Sequence, residues 1–294
     1  MKTALCTISA NNFLPYGLDC LLSNKEFNDY DYYYLVADEF DETLYSEYTK
    51  DIKFIRLEEI GIDKRDLVEL EFKYNIVEFN TCVKPAFYKY LFSLGYDNVI
   101  YLDPDIESYS KFTFLDDLLT KNNIVLTPHK CTAKKSTFFK DNDFLNNGIY
   151  NLGFIAMHKS EQTNEFLTWW DNALRDSCYV DYSNGMATDQ IWANLAPVYF
   201  EGVFITKHPG MNLAFWNIDE RVVLYLQPLE EVRVLTVART SEPRISTSIV
   251  VVWTAVGKYT TFYLHVLNQL TIWTLEADES SGKTTELTVG NEQL

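Results

Sequence analysis

The chain has 294 residues, of which 47% are hydrophobic and 15% aromatic, and its formal net charge is −17. This composition suffices for a packed core and excludes a largely disordered chain. The negative charge disfavours general binding to nucleic-acid phosphates and to anionic membrane surfaces.

The predicted elements alternate between strand and helix in the first third of the chain. Apolar runs predict strands at 3–9, 30–38, 52–60 and 98–103, and helical spacing predicts helices at 14–27, 40–49 and 84–95. This alternation is typical of a mixed, mainly parallel central sheet flanked by helices, in which ligands bind beyond the carboxyl ends of the strands. Ser9, Asp103 and Asp105 fall at such ends.

The later segments predict strands at 123–129 and 147–160, and helices at 165–175 and 186–200. Thr188 is predicted to cap the last of these helices and Pro197 to end it. From residue 221 onward β-branched residues reach a strand-like density, which predicts a β-rich C-terminal tail. Its last polar stretch, 277–294, is expected to be frayed.

Cysteine usage and hydropathy bear on the compartment. The five cysteines are scattered without a C-x-x-C spacing, which argues against a disulfide framework or a zinc site and fits a reducing compartment. No run of 18 apolar residues is present, and the first residues turn polar too early for a signal peptide. We therefore expect a cytoplasmic protein without a transmembrane segment, with peripheral contact at the inner face of the membrane left open.

The sequence Asp103-Pro104-Asp105 follows an apolar strand directly. Two carboxylates one residue apart can converge on a hard divalent cation such as Mn²⁺ or Mg²⁺, which in turn can hold a diphosphate. Pro104 restricts the turn that aims them. The alternative is that the two acids cap the backbone of the following turn.

Four further residues carry charged or amide groups that suit an anionic or a hydroxyl-bearing ligand. Lys84 begins a predicted helix, where it either reaches an anionic nucleotide or is an exposed first-turn lysine. Asn151 lies between the two glycines of NNGIYNLGF, which permit close approach of a ligand but also suit an ordinary turn into a strand. Asp189 and Gln190 open the helix after GMAT, where an acid needs no function.

In combination these motifs resemble the type A (GT-A) nucleotide-sugar glycosyltransferases, in particular bacterial enzymes related to the glycogenin-like and lipopolysaccharide galactosyltransferase-like group. The motifs T-x-V-K-P, Y-L-D-P-D-I, L-T-P-H, N-L-G-F-I-A, F-L-x-W-W, D-Q-x-W and P-G-x-N-x-A-x-W-N occur in order from residue 81 to about 220. A D-x-D alone is common, whereas this order is specific. The resemblance implies a GT-A nucleotide-diphospho-sugar transferase domain over residues 1–220.

The resemblance also implies roles by position. Asp105 is the main ligand of a Mn²⁺ or Mg²⁺ ion, and Asp103 contacts both this metal and the ribose. Asp189 and Gln190 face the donor sugar or the attacked carbon, with Asp189 as the candidate base if the reaction inverts configuration. The implied substrate-binding residues are Thr7, Ser9, Asn12, Lys84, Asp103 and Asn151.

The likeness stops near residue 220. The family continues to a His-Phe-Ser-Gly-like segment whose histidine often completes the metal shell, and here His265 is the only candidate and lacks the Ser-Gly. Asparagine and aromatic content fall at the same place. We interpret residues 221–294 as an atypical segment, unrelated to the family tail or out of frame with it.

The implied function is metal-dependent transfer of a hexose from a UDP-sugar to a hydroxyl of a glycan or lipid-linked saccharide acceptor, in polysaccharide biosynthesis. The absence of an evident base favours retention, in which the leaving phosphate can accept the proton. The unusual tail leaves open a catalytically decayed nucleotide-sugar-binding protein. A haloacid dehalogenase-type phosphotransferase also uses D-x-D after a strand, but there the pair usually follows the first strand.

Overall fold

The structure is a computed structural model that describes residues 1–45, 48, 50–135 and 139–224. Beyond residue 224 it describes the strand segments 236–239, 250–252, 259–266, 269–277 and 284–293.

Strands and helices alternate through the first part of the chain, as the sequence predicts. In chain order they are β1 (Thr3–Ser9), α1 (Leu14–Lys25), β2 (Asp31–Val36), β3 (Ile52–Arg56), α2 (Lys64–Lys73), α3 (Ile76–Cys82), α4 (Lys84–Ser93), β4 (Asn98–Leu102), β5 (Ile106–Ser108), α5 (Thr113–Leu119), β6 (Ile124–Pro128), α6 (Asp141–Asn147), β7 (Tyr150–His158), α7 (Glu161–Asp176), β8 (Val180–Asp181), β9 (Met186–Ala187), α8 (Gln190–Ala193), α9 (Ala196–Tyr199), β10 (Val203–Ile205) and β11 (Arg221–Leu224). Short 3-10 helices cover Asn11–Phe13, Glu42–Tyr45, Leu57–Glu59, Tyr182–Asn184 and Ile218–Glu220.

A seven-stranded sheet with the order β10-β6-β7-β4-β1-β2-β3 forms the centre of the molecule. Strand β7 runs antiparallel to both of its neighbours, and the other pairs are parallel. Because β7 is reversed, its first residues lie beside the last residues of β4, and the Asp103 amide donates to the Gly153 carbonyl over 2.8 Å. The mixed, mainly parallel sheet predicted from the sequence is confirmed.

Both faces of the sheet are covered by helices, which explains why its inner strands β1, β4, β6 and β7 are buried along nearly their whole length. One hydrophobic cluster joins the sheet to α3, α4 and α7, and the other joins it to α1 and α5. Neighbouring strand residues contribute to opposite clusters, as Leu5 and Cys6 of β1 do.

The helix predicted at 186–200 is wrong in detail. Residues 186–187 form the strand β9, Thr188 has a φ of +45°, and the rest divides into α8 and α9. Thr188 does not cap the helix, because Asp189 occupies the N-cap position and receives the Thr188 hydroxyl on its Oδ1 over 3.2 Å. Pro197 lies in the first turn of α9 rather than at a helix end, since its missing amide hydrogen has no cost there.

Two other predicted boundaries differ. The helix at 40–49 is described only as the 3-10 turn Glu42–Tyr45. The strand at 52–60 ends at Arg56, where the Glu59 side chain accepts the Arg56 amide over 2.9 Å and starts a 3-10 turn.

The described strands of the tail are antiparallel, in agreement with a β-rich segment. They are β12 (Thr236–Arg239), β13 (Val250–Val252), β14 (Tyr259–Val266), β15 (Gln269–Ala277) and β16 (Thr284–Gln293). Strand β13 pairs with β5, while β14, β15 and β16 form a sheet of their own. The frayed end expected at 277–294 is therefore wrong for β16, whose alternating sequence TTELTV pairs with β15.

Within the described ranges, no helix is both long enough and apolar enough to span a bilayer.

Candidate active site

A cavity of about 640 Å³ lies at the carboxyl edge of the sheet. Its walls come from the segments after β1 and β4, the start of β7, the first turns of α3 and α4, and the turn before α8. The predicted site residues that line it are Ser9, Asn12, Lys84, Asp103, Asp105, Asn151, Asp189 and Gln190. Residues from distant parts of the sequence are thus brought together as a sheet edge of this topology requires.

Thr7 is the predicted site residue that does not line the cavity. It is fully buried within β1, two residues before Ser9. Side chains two apart on a strand share a face but stand about 7 Å apart along it, which leaves Thr7 inside the sheet. Ser9 lines the cavity, but its hydroxyl donates to the Ala10 carbonyl and contacts the Tyr34 hydroxyl at 2.6 Å.

The carboxylate of Asp103 is held by side chains rather than by the following turn. Its Oδ1 accepts the Tyr101 hydroxyl over 2.7 Å and lies 3.5 Å from Lys84 Nζ. Tyr101 reaches it because Asp103 directly follows β4, and side chains two apart along an extended chain point to the same face. The alternative in which the two acids cap local backbone is therefore not supported for Asp103, whereas Asp105 does accept a hydrogen bond from its own backbone amide.

The charge of Asp105 is only partly compensated, because its own backbone amide and the Lys84 ammonium favour the charged form while its surroundings oppose it. Burial, and then the neighbouring Asp103 carboxylate, raise the pKa of Asp105 to about 7. Two acids in one partly buried turn are unfavourable unless a cation or a proton offsets their charge. Their hard oxygen donors fit a divalent cation that completes its shell with water and phosphate oxygens. Among the described residues no group of three or more His, Cys, Asp or Glu side chains is arranged to hold a metal ion.

Lys84 is buried beneath the acidic pair. Its Nζ donates to Asp189 Oδ2 over 2.9 Å and to the Leu152 carbonyl over 3.2 Å, and it lies 4.3 Å from the centre of the Tyr101 ring. The side chains of Lys84 and Asp189 are only 5% and 3% exposed. The exposed first-turn lysine considered from the sequence is therefore wrong.

The Lys84–Asp189 ion pair is electrostatically tight. Burial acts to lower the pKa of Lys84, but the carboxylates of Asp189 and Asp103 outweigh it and raise the pKa above its ordinary value. Burial raises the pKa of Asp189, and the Lys84 ammonium opposes that rise. The ammonium stays protonated at neutral pH and links the turn after β4 to the start of α8.

The start of β7 packs directly against this network. Asn151 is buried, and its Oδ1 accepts the Gly153 amide over 2.7 Å. Gln190 Oε1 accepts the Leu152 amide over 3.4 Å. Gly148 has a φ of +111°, and a Cβ there would lie 2.8 Å from Gln190 Cβ. The glycines of NNGIYNLGF therefore make room for protein side chains.

Aromatic residues that sequence reasoning missed line another part of the cavity. His129, Phe144, Phe139, Phe215 and Trp216 form a closed circuit of ring contacts with centroid distances from 4.9 to 5.9 Å. Burial lowers the pKa of His129 to about 4. His129 and Trp216, which belong to the motifs L-T-P-H and N-x-A-x-W-N, supply part of this circuit. The order of these motifs along the chain was therefore the signal in the sequence that could have located it.

Comparisons with known proteins agree with this architecture. No family model matches the chain. It is 23% identical over 173 residues to the protein YfnD of Bacillus subtilis (strain 168), a match that spans 57% of this chain and only 53%, about half, of YfnD.

Among solved structures, the galactosyltransferase LgtC in complex with donor and acceptor sugar analogues matches 71% of this chain and 74% of its own, with 16% identity and a TM-score of 0.51. A structure of an active-site mutant of LgtC matches over the same shares with 14% identity and a TM-score of 0.51. At such identities the likeness establishes the fold, which is that of the GT-A glycosyltransferases.

Proposed function

We propose that the protein is a metal-dependent glycosyltransferase that moves a hexose from a UDP-sugar to a hydroxyl of a glycan or lipid-linked saccharide acceptor. The observation that carries this proposal is the Asp103-Pro104-Asp105 turn, which lines a large cavity at the carboxyl edge of a GT-A sheet. Asp103 and Asp105 would hold Mn²⁺ or Mg²⁺. A bound dication would supply the positive charge that stabilises a departing diphosphate.

The chain's own residues bind and orient the donor in this proposal. Lys84 holds the Asp103 carboxylate in place, since its ammonium lies 3.5 Å from Asp103 Oδ1. Ser9, Asn12 and Asn151 line the cavity on either side of the acidic turn, where uridine and donor sugar would bind. Direct contacts of these residues with a nucleotide stay predictions.

Asp189 is poorly placed to act as a general base. Its carboxylate is nearly inaccessible and is engaged by the Lys84 ammonium and the Thr188 hydroxyl. A base must reach the proton that it abstracts. We therefore assign to Asp189 the role of positioning Lys84. We also infer that the reaction retains the configuration of the transferred sugar, with the departing phosphate accepting the proton of the acceptor hydroxyl.

UDP release from UDP-glucose and UDP-galactose, measured with and without Mn²⁺, tests the proposal. We expect Mn²⁺-dependent release that Asp105→Asn lowers by about a hundredfold or more, because even partners outside the metal shell cost about 10–100-fold when they are removed. Asp116→Asn, a change of another aspartate outside the cavity, is the matched control and should keep full activity.

The same measurement separates the second candidate function. A catalytically decayed protein would bind UDP with Mn²⁺ yet release none from either donor. An Asp105→Asn variant that retains wild-type turnover contradicts the proposed metal role altogether.

A further inference from the structure

Five exposed large apolar side chains line the cavity; Phe13 follows β1, and the other four come from α3 and from the segment after α7. Ile76, Val77, Val180 and Tyr182 are 46%, 59%, 42% and 53% exposed, and all four line the cavity. Single exposed apolar residues are ordinary on a protein surface, but a group of them beside a binding cavity marks a place where apolar matter is bound. We name these four residues the apolar rim.

Hydrogen bonds hold two sides of the apolar rim together. The Asn75 side chain caps α3 by accepting the amides of Val77 and Glu78 over 3.0 and 3.1 Å. The Glu78 side chain is buried. One of its carboxylate oxygens accepts the Asn75 amide, and the other accepts the Val180 amide over 2.8 Å. One carboxylate thus fixes the start of α3 to β8.

These hydrogen bonds of Glu78 hold the apolar rim in place before any ligand binds. The rim cannot relax inward without breaking the charge-assisted bonds of Glu78. A preorganised apolar surface binds without an ordering cost.

The charge around the apolar rim limits the kind of molecule that can bind there. The chain has a net charge of −17, and the half-buried Asp181 lies between Val180 and Tyr182. An anionic bilayer would be repelled, and four side chains are a small surface for a membrane. A single apolar chain carried by a molecule that enters the cavity fits both facts.

We propose that the apolar rim binds an apolar aglycone of the acceptor, an alkyl or polyprenyl chain, while the acceptor's sugar enters the cavity. This rests on the proposed function, because it presumes that a glycosidic acceptor reaches the acidic turn. It selects the lipid-linked saccharide over the free glycan.

Calorimetric titration with octyl β-D-glucoside, below its micelle concentration, and with methyl β-D-glucoside tests the rim without requiring turnover. We expect the octyl glycoside to bind at least about tenfold more tightly, since part of its chain leaves water at the rim. The double variant Val77→Ser/Val180→Ser should reduce this preference below about threefold. Circular dichroism and the melting temperature check its fold, and Val77→Ser alone replaces it if it unfolds.

Phe72→Ser is the matched control. Phe72 is 95% exposed on α2 but does not line the cavity, so its loss should leave the octyl preference intact. Equal binding of both glucosides by the wild type, or an equal loss in Phe72→Ser and the rim variant, overturns the proposal.

Two further outcomes are distinguishable. Binding to phosphatidylglycerol and phosphatidylcholine vesicles that the rim variant abolishes, without any preference between glucosides, would assign the surface to a bilayer and also overturn the proposal. An octyl preference in a protein that binds no UDP with Mn²⁺ would support the apolar site and contradict the proposed function.

Discussion

Lys84 is the one lysine or arginine among the described residues that line the cavity, and it carries the positive charge of the candidate site. Its side chain is buried and contacts both Asp189 and Asp103. Sequence reasoning singled out Lys84, Asp103 and Asp189 separately, from a helix start, a strand end and a short motif. Their joining through one ammonium could not be predicted, because the packing of three distant elements decides it.

Replacement of Lys84 by Met tests this role through stability. The variant leaves Asp189 buried without its partner, and we expect a loss of about 3–5 kcal/mol in the free energy of unfolding, measured with urea. Lys89→Met, which breaks a more exposed pair with Asp171, should cost about 1 kcal/mol or less. Lys84→Met/Asp189→Asn should recover part of the loss. A cost for Lys84→Met as small as that of Lys89→Met would contradict the account.

His129 gives the protein a predicted acid sensitivity. Its pKa is about 4 in the folded protein because the ring is buried, against about 6.5 when unfolded. The unfolded chain therefore binds more protons between these values, and stability falls as pH drops through this window, by roughly 3 kcal/mol at most. Urea unfolding at pH 7, 5.5 and 4.5 should show a smaller fall for His129→Gln than for the wild type. Equal falls would exclude His129 as the cause.

Strand β7 packs so closely against the site that its glycine position leaves no room for a side chain. A Cβ on Gly153 would lie 2.8 Å from Asn151 Oδ1 and 3.0 Å from Asp103 Oδ2. We expect Gly153→Ala to displace the Asp103 carboxylate and to weaken Mn²⁺-dependent UDP binding by roughly tenfold or more, measured by calorimetry.

The control for this substitution is Gly95→Ala. Gly95 has a φ of +89°, and no described atom lies within 4 Å of its added Cβ. This variant should lose about 1–2 kcal/mol of stability through backbone strain but keep its UDP affinity. Unchanged UDP binding in Gly153→Ala would mean that the close packing at β7 does not position Asp103.

The strands of the central sheet were the most predictable elements. Burial on both faces gives β1 and β4 continuous apolar runs that end at polar residues, which also located Ser9 and Asp103. The segment 186–200 was not predictable in this way. The left-handed turn at Thr188 breaks its helical spacing, and that conformation is set by tertiary contacts such as the Thr188 amide to the Tyr179 carbonyl at 3.0 Å.

The whole molecule joins a GT-A fold to a C-terminal segment of different composition. The change in the sequence falls at a buried ion pair, in which Glu220 accepts the amides of Cys131 and Thr132 and Arg221 donates to the carbonyls of His208 and Pro209. We propose the boundary at 220/221, with 221–294 unrelated to the family tail or out of frame with it.

The nucleotide sequence of the gene tests this boundary. If the segment is out of frame, translation of a shifted frame downstream of codon 220 should restore a His-Phe-Ser-Gly-like segment. If neither shifted frame contains one, the frame hypothesis is wrong, and the tail is an unrelated segment.

The most direct test of the central claim is calorimetric titration of UDP into the intact protein with Mn²⁺ and with EDTA. We predict binding with Mn²⁺ that weakens at least about tenfold in EDTA and to a similar extent in Asp105→Asn, because the acidic turn grips the diphosphate through a cation. Equal UDP affinity in Mn²⁺ and EDTA, or an unaltered affinity in Asp105→Asn, would contradict it.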